Sequence, residues 1–351
     1  MNSCLLSIGS VFLKFGFIII ALLVLMLMIT IHELGHYTAG KILKFKINEF
    51  SIGFGKALYT KKKKSGEVFS IRLIPLGGYC AFDGEDSTDE AEDSFNAQAP
   101  WKRLIVLFCG AFFNFISAIL FSVILLSVVG TGQIRVDKVE GVNNSIESFQ
   151  AGDVIVEANG KKLSFFNGGL EGLTEQNKLG ENITFIVVRD GKQQTVVAKK
   201  FAVMEKGSEV GKFGITPSYQ GLSFGEACLK AVPFSFEMVA ETLKALGNLI
   251  IGENGLQDIG GPITTISTMA DAGAASLLNL LLIIPLIATS LAVCNLLPIP
   301  ALDGCRMVFV LIEWIRKKPI NRDLENKIHT VGLFILFGFV ILVDFLHLFV
   351  F

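Results

Sequence analysis

Four stretches of the chain are apolar for long enough to cross a bilayer, which takes about 20 residues in a helix. They cover about Val11 to Tyr37, Leu104 to about Val129, about Ala275 to Ala301, and about Thr330 to Phe351. Between the second and third the pattern shortens and alternates. Ile134 to Val139 and Val154 to Ala158 read as strands, the latter entered through the turn Ala151-Gly152-Asp153 and left through the hairpin signal Asn159-Gly160. Ile183 to Arg189 and Gln194 to Ala198 read as a hairpin around Asp190-Gly191, with a helix within Phe166 to Lys178. Gly225 to Ile251 reads as a helix with one apolar face, suited to lie at a membrane surface. Upstream of the second span, Val68 to Leu73 alternates loosely, and Pro75, Gly77 and Gly78 are expected to break it into short strands with a glycine turn. Asp83 to Asp93 reads as a solvated acidic loop.

This pattern predicts a polytopic α-helical membrane protein with four transmembrane helices, a membrane-associated β-hairpin or sheet, and one extracytoplasmic α+β domain. The expected division is a first half of the membrane core over 1–130, the α+β domain over 131–205, an amphipathic linking region over 206–272, and a second half of the core over 273–351. Charge sets the orientation. The segment between spans one and two carries Lys41, the run Lys61 to Lys64, Lys102 and Arg103, and the one between spans three and four carries Arg306, Arg316, Lys317, Lys318 and Arg322. Both therefore belong in the cytoplasm. The first apolar stretch has no small-residue cleavage site after it, so it is expected to remain as a helix rather than to leave as a signal peptide.

Composition agrees. Of 351 residues 51% are hydrophobic, and the mean hydropathy of +0.57 is too high for an ordinary soluble protein. A net charge of −1 gives no global field for nucleic acid. The six cysteines show neither C-x-x-C pairs nor a disulfide-like spacing, and read as packed or lipid-facing thiols.

The candidate chemistry lies at the end of the first span. Phe15 to Ile31 holds no charged side chain, and His32-Glu33-Leu34-Gly35-His36 follows at once. Ionisable groups at membrane depth are costly and usually functional. H-E-x-x-H on a helix puts His32 and His36 on one face, both able to reach one metal ion, with Glu33 close enough to serve as general base. A catalytic zinc takes three protein ligands and leaves a fourth position for water, lowering the pKa of that water to about 7. Asp303, after Pro298 and Pro300, is the best candidate for the third ligand. The orientation supplies an independent reason: spans one and three run in the same direction, so His32, His36 and Asp303 reach the same depth near the cytoplasmic face.

With these residues in view the chain resembles the site-2 protease family of intramembrane zinc metalloproteases, most closely the bacterial regulator-of-sigma-E branch. H-E-L-G-H at 32–36, I-P-L-G-G-Y at 74–79, G-x-x-x-N at 110–114, A-G-D-V-I-V-E-A-N-G at 151–160, G-G-P-I at 260–263 and N-L-L-P-I-P-A-L-D-G at 295–304 follow the family's order over nearly the whole chain. The resemblance implies one zinc ion per chain held by His32, His36 and Asp303, with Glu33 catalytic. It implies substrate contacts at Asn295 and on a membrane-dipping β-loop at Gly77, Gly78 and Tyr79. Asn114 is grouped with the substrate contacts, with interhelical hydrogen bonding as its alternative. The α+β domain would be a PDZ-like size filter, and Ser148 stands where a glycine is usual in its ligand loop. Expected partners are the lipid bilayer and single-span membrane proteins, such as anti-sigma factors after a first cleavage and signal-peptide remnants. The expected location is the inner membrane. Cys305 replaces a usual second glycine after Asp303-Gly304, although the ligand set is already complete without it. The competing readings are a catalytically inactive PDZ-type membrane scaffold, which needs no general base, and a zinc-regulated transporter, for which no inverted repeat is apparent.

Overall fold

The computed structural model describes residues 2–85, 94–139, 149–167, 169–205, 208–253 and 255–350. Ser148 and most of the acidic loop, residues 86–93, lie outside them. The chain forms two compact units, Met1–Phe121 with Phe234–Phe351, and Ser122–Pro233.

The first unit opens with helix α1 (Asn2–Ile42), followed by strands β1 (Ile47–Lys62) and β2 (Val68–Phe82), and enters α2 (Pro100–Val129) through a proline at the first helical position. In the second unit come β3 (Ile134–Val139), β4 (Val154–Ala158), β5 (Lys161–Lys162), α3 (Gly169–Thr174), β6 (Asn182–Arg189), β7 (Lys192–Lys199), β8 (Phe201–Glu205), β9 (Ser208–Lys212) and β10 (Ile215–Tyr219). The chain returns to the first unit through α4 (Phe224–Ile251), then α5 (Pro262–Ala275), α6 (Leu277–Asn295), α7 (Asp303–Arg316) and α8 (Arg322–Phe349). Among the described residues four helices are long and apolar enough to cross a membrane: Phe12–Ile42, Pro100–Val129, Leu277–Asn295 and Arg322–Phe349.

Two features of the first unit differ from the sequence expectation. Asp303 does not continue the third span. Helix α6 stops at Asn295, a stretch holding Pro298, Pro300 and the left-handed Ala301 (φ 81°) follows, and Asp303 opens the separate helix α7. Nor do Pro75, Gly77 and Gly78 end a strand. β2 runs through them and bends, Gly77 at φ 129° supplying a conformation closed to other residues. The bend lets Glu49–Ile52 pair twice, with Gly78–Ala81 on one side and Val68–Ile71 on the other, while Ala57–Lys62 pairs with Val68–Arg72. The hairpin tip falls in the lysine run, where the Lys63 amide donates to Glu67 O (2.8 Å) and the Gly66 amide to Lys63 O (3.0 Å). Glu67 is pinned there by Lys41, Lys63 and Tyr37.

Small residues bring the helices of this unit together. Ala21 and Met28 of α1, Ala118 of α2, Met269 of α5, and Leu280, Ile284 and Ala288 of α6 form one buried cluster. A second, around Ala39, Phe45, Phe82, Phe95, Val106 and Val310, joins α1, the strands, α2 and α7. One buried ion pair, Arg103 to Glu313 at 2.5 Å, ties α2 to α7, and Arg322 of α8 reaches the same carboxylate at 2.6 Å. Helix α5 starts with Gly261 and Pro262 and has no cap from its own sequence. Asp344 of α8 supplies it, accepting from the amides of Ile263 (3.1 Å) and Thr264 (3.0 Å) and from the Thr264 hydroxyl (2.7 Å). His347 adds a hydrogen bond to Ile259 O at 2.6 Å, so it is a backbone clasp as well as a residue near a helix end.

The second unit is built on an antiparallel sheet in the order β10-β3-β4-β6-β7, with β5 folded against β4. Alternate residues Ile183, Phe185 and Val187 of β6 are fully buried, with Val136, Ile155 and Phe149, as a half-buried strand pattern requires. Asp153 of the Ala-Gly-Asp turn is fully buried, receives Arg189 through Nε (2.6 Å) and Nη2 (2.7 Å), and accepts from the Gln150 amide. The sheet draws β10 from beyond residue 205.

Candidate metal centre

Helix α1 places His32 and His36 one turn apart, and the start of α7 brings Asp303 to them. The two Nε2 atoms lie 3.1 Å from each other, and Asp303 Oδ2 lies 3.0 Å from His32 Nε2 and 3.2 Å from His36 Nε2. Among the described residues this is the one group of three or more His, Cys, Asp or Glu side chains whose candidate ligand atoms all fall within 4.8 Å of one another. Both histidines are buried.

The donor set fits a zinc ion. Nitrogen and oxygen ligands bind zinc tetrahedrally at about 2.0–2.1 Å, which sets them about 3.3 Å apart, close to the spacing here. The hydrogen bonding agrees. His36 Nδ1 faces the carbonyl of Val106 at 2.9 Å, and a carbonyl only accepts, so Nδ1 carries the proton and the neutral ring offers its Nε2 lone pair to the cluster. Asp303 Oδ2 is buried, and among the described residues no N–H or O–H group is aimed to donate to it. Three lone-pair donors pointing at one another repel unless a cation lies among them.

α2 makes room for this arrangement. A Cβ on Gly110 would stand 2.4 Å from His36 Nε2 and 2.8 Å from His32 Cε1, and one on Gly35 would stand 2.2 Å from the carbonyl oxygen of Cys109. Helices α1 and α2 therefore touch backbone to backbone at the level of the imidazoles. Val106, Gly110 and Asn114 share one face of α2 at four-residue spacing.

The site opens into a cavity of about 620 Å³ whose wall includes His32, Glu33, His36, Tyr79, Asn295 and Asp303. Glu33 and Cys80 both border it, and a Cβ on Gly78 would come within 3.5 Å of Glu33 Cγ and 2.7 Å of Ser51 O. Gly77 is turned away and packs against the Phe54 ring, so it shapes the bend and does not line the cavity. Asn114 is buried, with its amide Nδ2 3.5 Å from His32 Nδ1. Cys305 is buried outside the cavity wall and outside the ligand group. His329 accepts from the Ala301 amide (3.2 Å), holding the loop that delivers Asp303. Arg306 and Glu85, ion-paired, also border the cavity, and no sequence motif singled them out.

Two imidazoles and a carboxylate around one point, a second carboxylate in the same cavity, and a bundle with four potential membrane spans define a class, the membrane-embedded zinc metalloproteases. Comparison with known proteins agrees. Residues 20–339 match the model of Peptidase family M50. Proteins provisionally named zinc metalloproteases match over nearly their full length: one from Fusobacterium nucleatum at 30% identity (93% of this chain, 96% of the relative), one from Helicobacter pylori at 31% (94% and 97%), and one from Campylobacter jejuni at 31% (88% and 87%). The chain belongs to Peptidase family M50 and is a zinc metalloprotease of that type.

Proposed function

We propose that this protein is an intramembrane protease that hydrolyses peptide bonds within or near transmembrane segments, with His32, His36 and Asp303 as the zinc ligands and Glu33 as general base. The observation that carries the reading is the convergence of the three ligand atoms within 3.2 Å of each other beside a cavity that also holds Glu33. A scaffold has no use for that carboxylate.

When bound, zinc supplies Lewis acidity and makes water a nucleophile at neutral pH. Glu33 takes a proton from the attacking water and delivers it to the leaving amine nitrogen, so the carboxylate ends as it began. A peptide bond inside a helix is shielded and must be unwound before attack. The segment Gly78–Ala81 pairs with Glu49–Ile52, and Tyr79 to Phe82 line the cavity. An extended substrate added beside that segment would be held by backbone hydrogen bonds, with Asn295 offering an amide to the unwound chain.

The second unit serves as a PDZ-like extracytoplasmic filter that excludes substrates with bulky outer domains, the active site lying near the cytoplasmic face of the inner membrane. The sheet with its short helix α3 and the charge of the loops support this. Substrates are single-span membrane proteins, among them anti-sigma factors after a first cleavage and signal-peptide remnants. The test is cleavage of a single-span substrate by wild type and Glu33→Gln. Product formation falls by about 10²–10⁴-fold with zinc content unchanged. Equal product from both proteins would exclude Glu33 as the base.

A further inference from the structure

The G-x-x-x-N sequence of α2 has a metal-directed explanation. His36 has its outer nitrogen on a carbonyl, Val106 O at 2.9 Å, which fixes the proton on Nδ1 and turns the Nε2 lone pair inward. His32 has the same requirement, because its Nε2 also faces the cluster, 3.1 Å from the partner imidazole and 3.0 Å from Asp303. Its Nδ1 must carry a proton and donate it. The group opposite is the amide of Asn114, side chain buried, with Nδ2 at 3.5 Å. Two donors cannot face each other there. Meanwhile Asn114 Oδ1 is buried and receives no hydrogen bond from the described residues. The two ends of an amide are nearly the same shape, and hydrogen bonding decides which of them faces a neighbour. Turning the amide by half a rotation satisfies both groups at once: Oδ1 accepts from His32 Nδ1–H, and the orphaned acceptor has its donor.

We infer that Asn114 is a positioning residue that holds His32 in the tautomer whose Nε2 lone pair faces the metal. The inference rests on the zinc reading of the site. One face of α2 then supplies the outer partner of both ligating histidines, Val106 through its backbone and Asn114 through its side chain, and Gly110 midway between them leaves space for the rings. Such outer hydrogen bonds raise ligand basicity and lock ring orientation, and their loss typically costs about 10–100-fold in metal affinity. Asn114 thus acts through His32, whatever further contact it makes with a substrate in the cavity it borders.

The experiment measures zinc affinity by chelator competition on the full-length protein in detergent, comparing wild type, Asn114→Leu and Asn114→Asp. Leucine keeps the approximate size and removes the acceptor, and its affinity falls by about 10–100-fold. Aspartate restores an acceptor for Nδ1–H, and its affinity returns to within a few-fold of wild type, which a packing role would not produce. Wild-type affinity in Asn114→Leu overturns the inference, and if that variant also shows a raised KM for cleavage, the residue is a substrate contact instead. Equal loss in the leucine and aspartate variants overturns it as well. A wild-type protein that takes up no zinc would overturn the reading of the site itself, and this inference with it.

Discussion

Two carboxylates in the same helical unit, Asp303 and Asp344, stand at helix beginnings under opposite conditions. Asp344 is buried on α8, and its oxygens accept from two backbone amides and one hydroxyl at the start of α5. Asp303 opens α7 and turns Oδ2 towards two imidazole nitrogens, with no hydrogen-bond donor among the described residues aimed at it. The first completes a helix that cannot cap itself. The second is one of three lone-pair donors gathered at a point. An acidic residue in an apolar helix is therefore not by itself a sign of metal chemistry. The distinction lies in whether its lone pairs are already occupied by N–H and O–H groups.

Paired substitutions break or sharpen that contrast. The largest difference is expected between Asp303→Ala and Asp344→Ala. The first leaves two protein ligands where a catalytic zinc takes three, so metal content after dialysis falls from about one per chain towards zero and cleavage is abolished. The second leaves zinc content intact but exposes the start of α5, a loss of about 2–4 kcal/mol, read as a lowered Tm. If Asp344→Ala lost zinc while Asp303→Ala kept it, the two assignments would be reversed.

Next come the glycines that make room for each cluster. A methyl group on Gly110 meets His36 Nε2 at 2.4 Å, whereas one on Gly261 meets the Asp344 carboxylate at 2.5 Å. Gly110→Ala should weaken zinc binding by about tenfold or more, because it displaces ligand rings held by their outer partners. Gly261→Ala should cost about 1–3 kcal/mol of stability without changing zinc affinity. Zinc titration and thermal unfolding on both proteins separate the two effects.

The smallest effect lies at the hairpin tip, away from both clusters. Burial pulls the Glu67 carboxyl upward, but the hydrogen bonds from Lys41, Lys63 and Tyr37 together outweigh it and hold it below its ordinary 4.5. A depressed carboxyl stabilises fully above its unfolded value and loses that contribution as pH falls through the folded value. Amide exchange at residues 63–67 should therefore rise below about pH 4.5, and Glu67→Gln should remove that pH dependence. A pH dependence that persisted in the variant would assign it to another group.

Much of the architecture was legible in the chain. The spans followed from hydropathy, β3, β4, β6 and β7 from alternation and turn residues, and Asp303 from its depth relative to His32 and His36. What was hidden has physical reasons. Helix α5 reads Pro-Ile-Thr-Thr-Ile-Ser-Thr, with neither a long apolar run nor a side-chain cap, because its cap comes from residue 344. The double pairing of Glu49–Ile52 depends on a bend that a proline and two glycines marked, yet those residues fit a strand end equally well. Val106 contributes a carbonyl, which every residue has, so no residue type could have announced it. The motif gave Asn114 a position but not its neighbour, which is His32.

The backbone contact between Gly35 and Cys109 has one more consequence. Spanning helices adjust their tilt when the surrounding lipid is thinner or thicker than their apolar length. Two rods that lean about a point where they touch swing widely at their ends and scarcely move at the touching point. In this molecule that point lies level with the His32 and His36 imidazoles. Tilting about that contact would displace His32 and His36 less than the distant ends of α1 and α2.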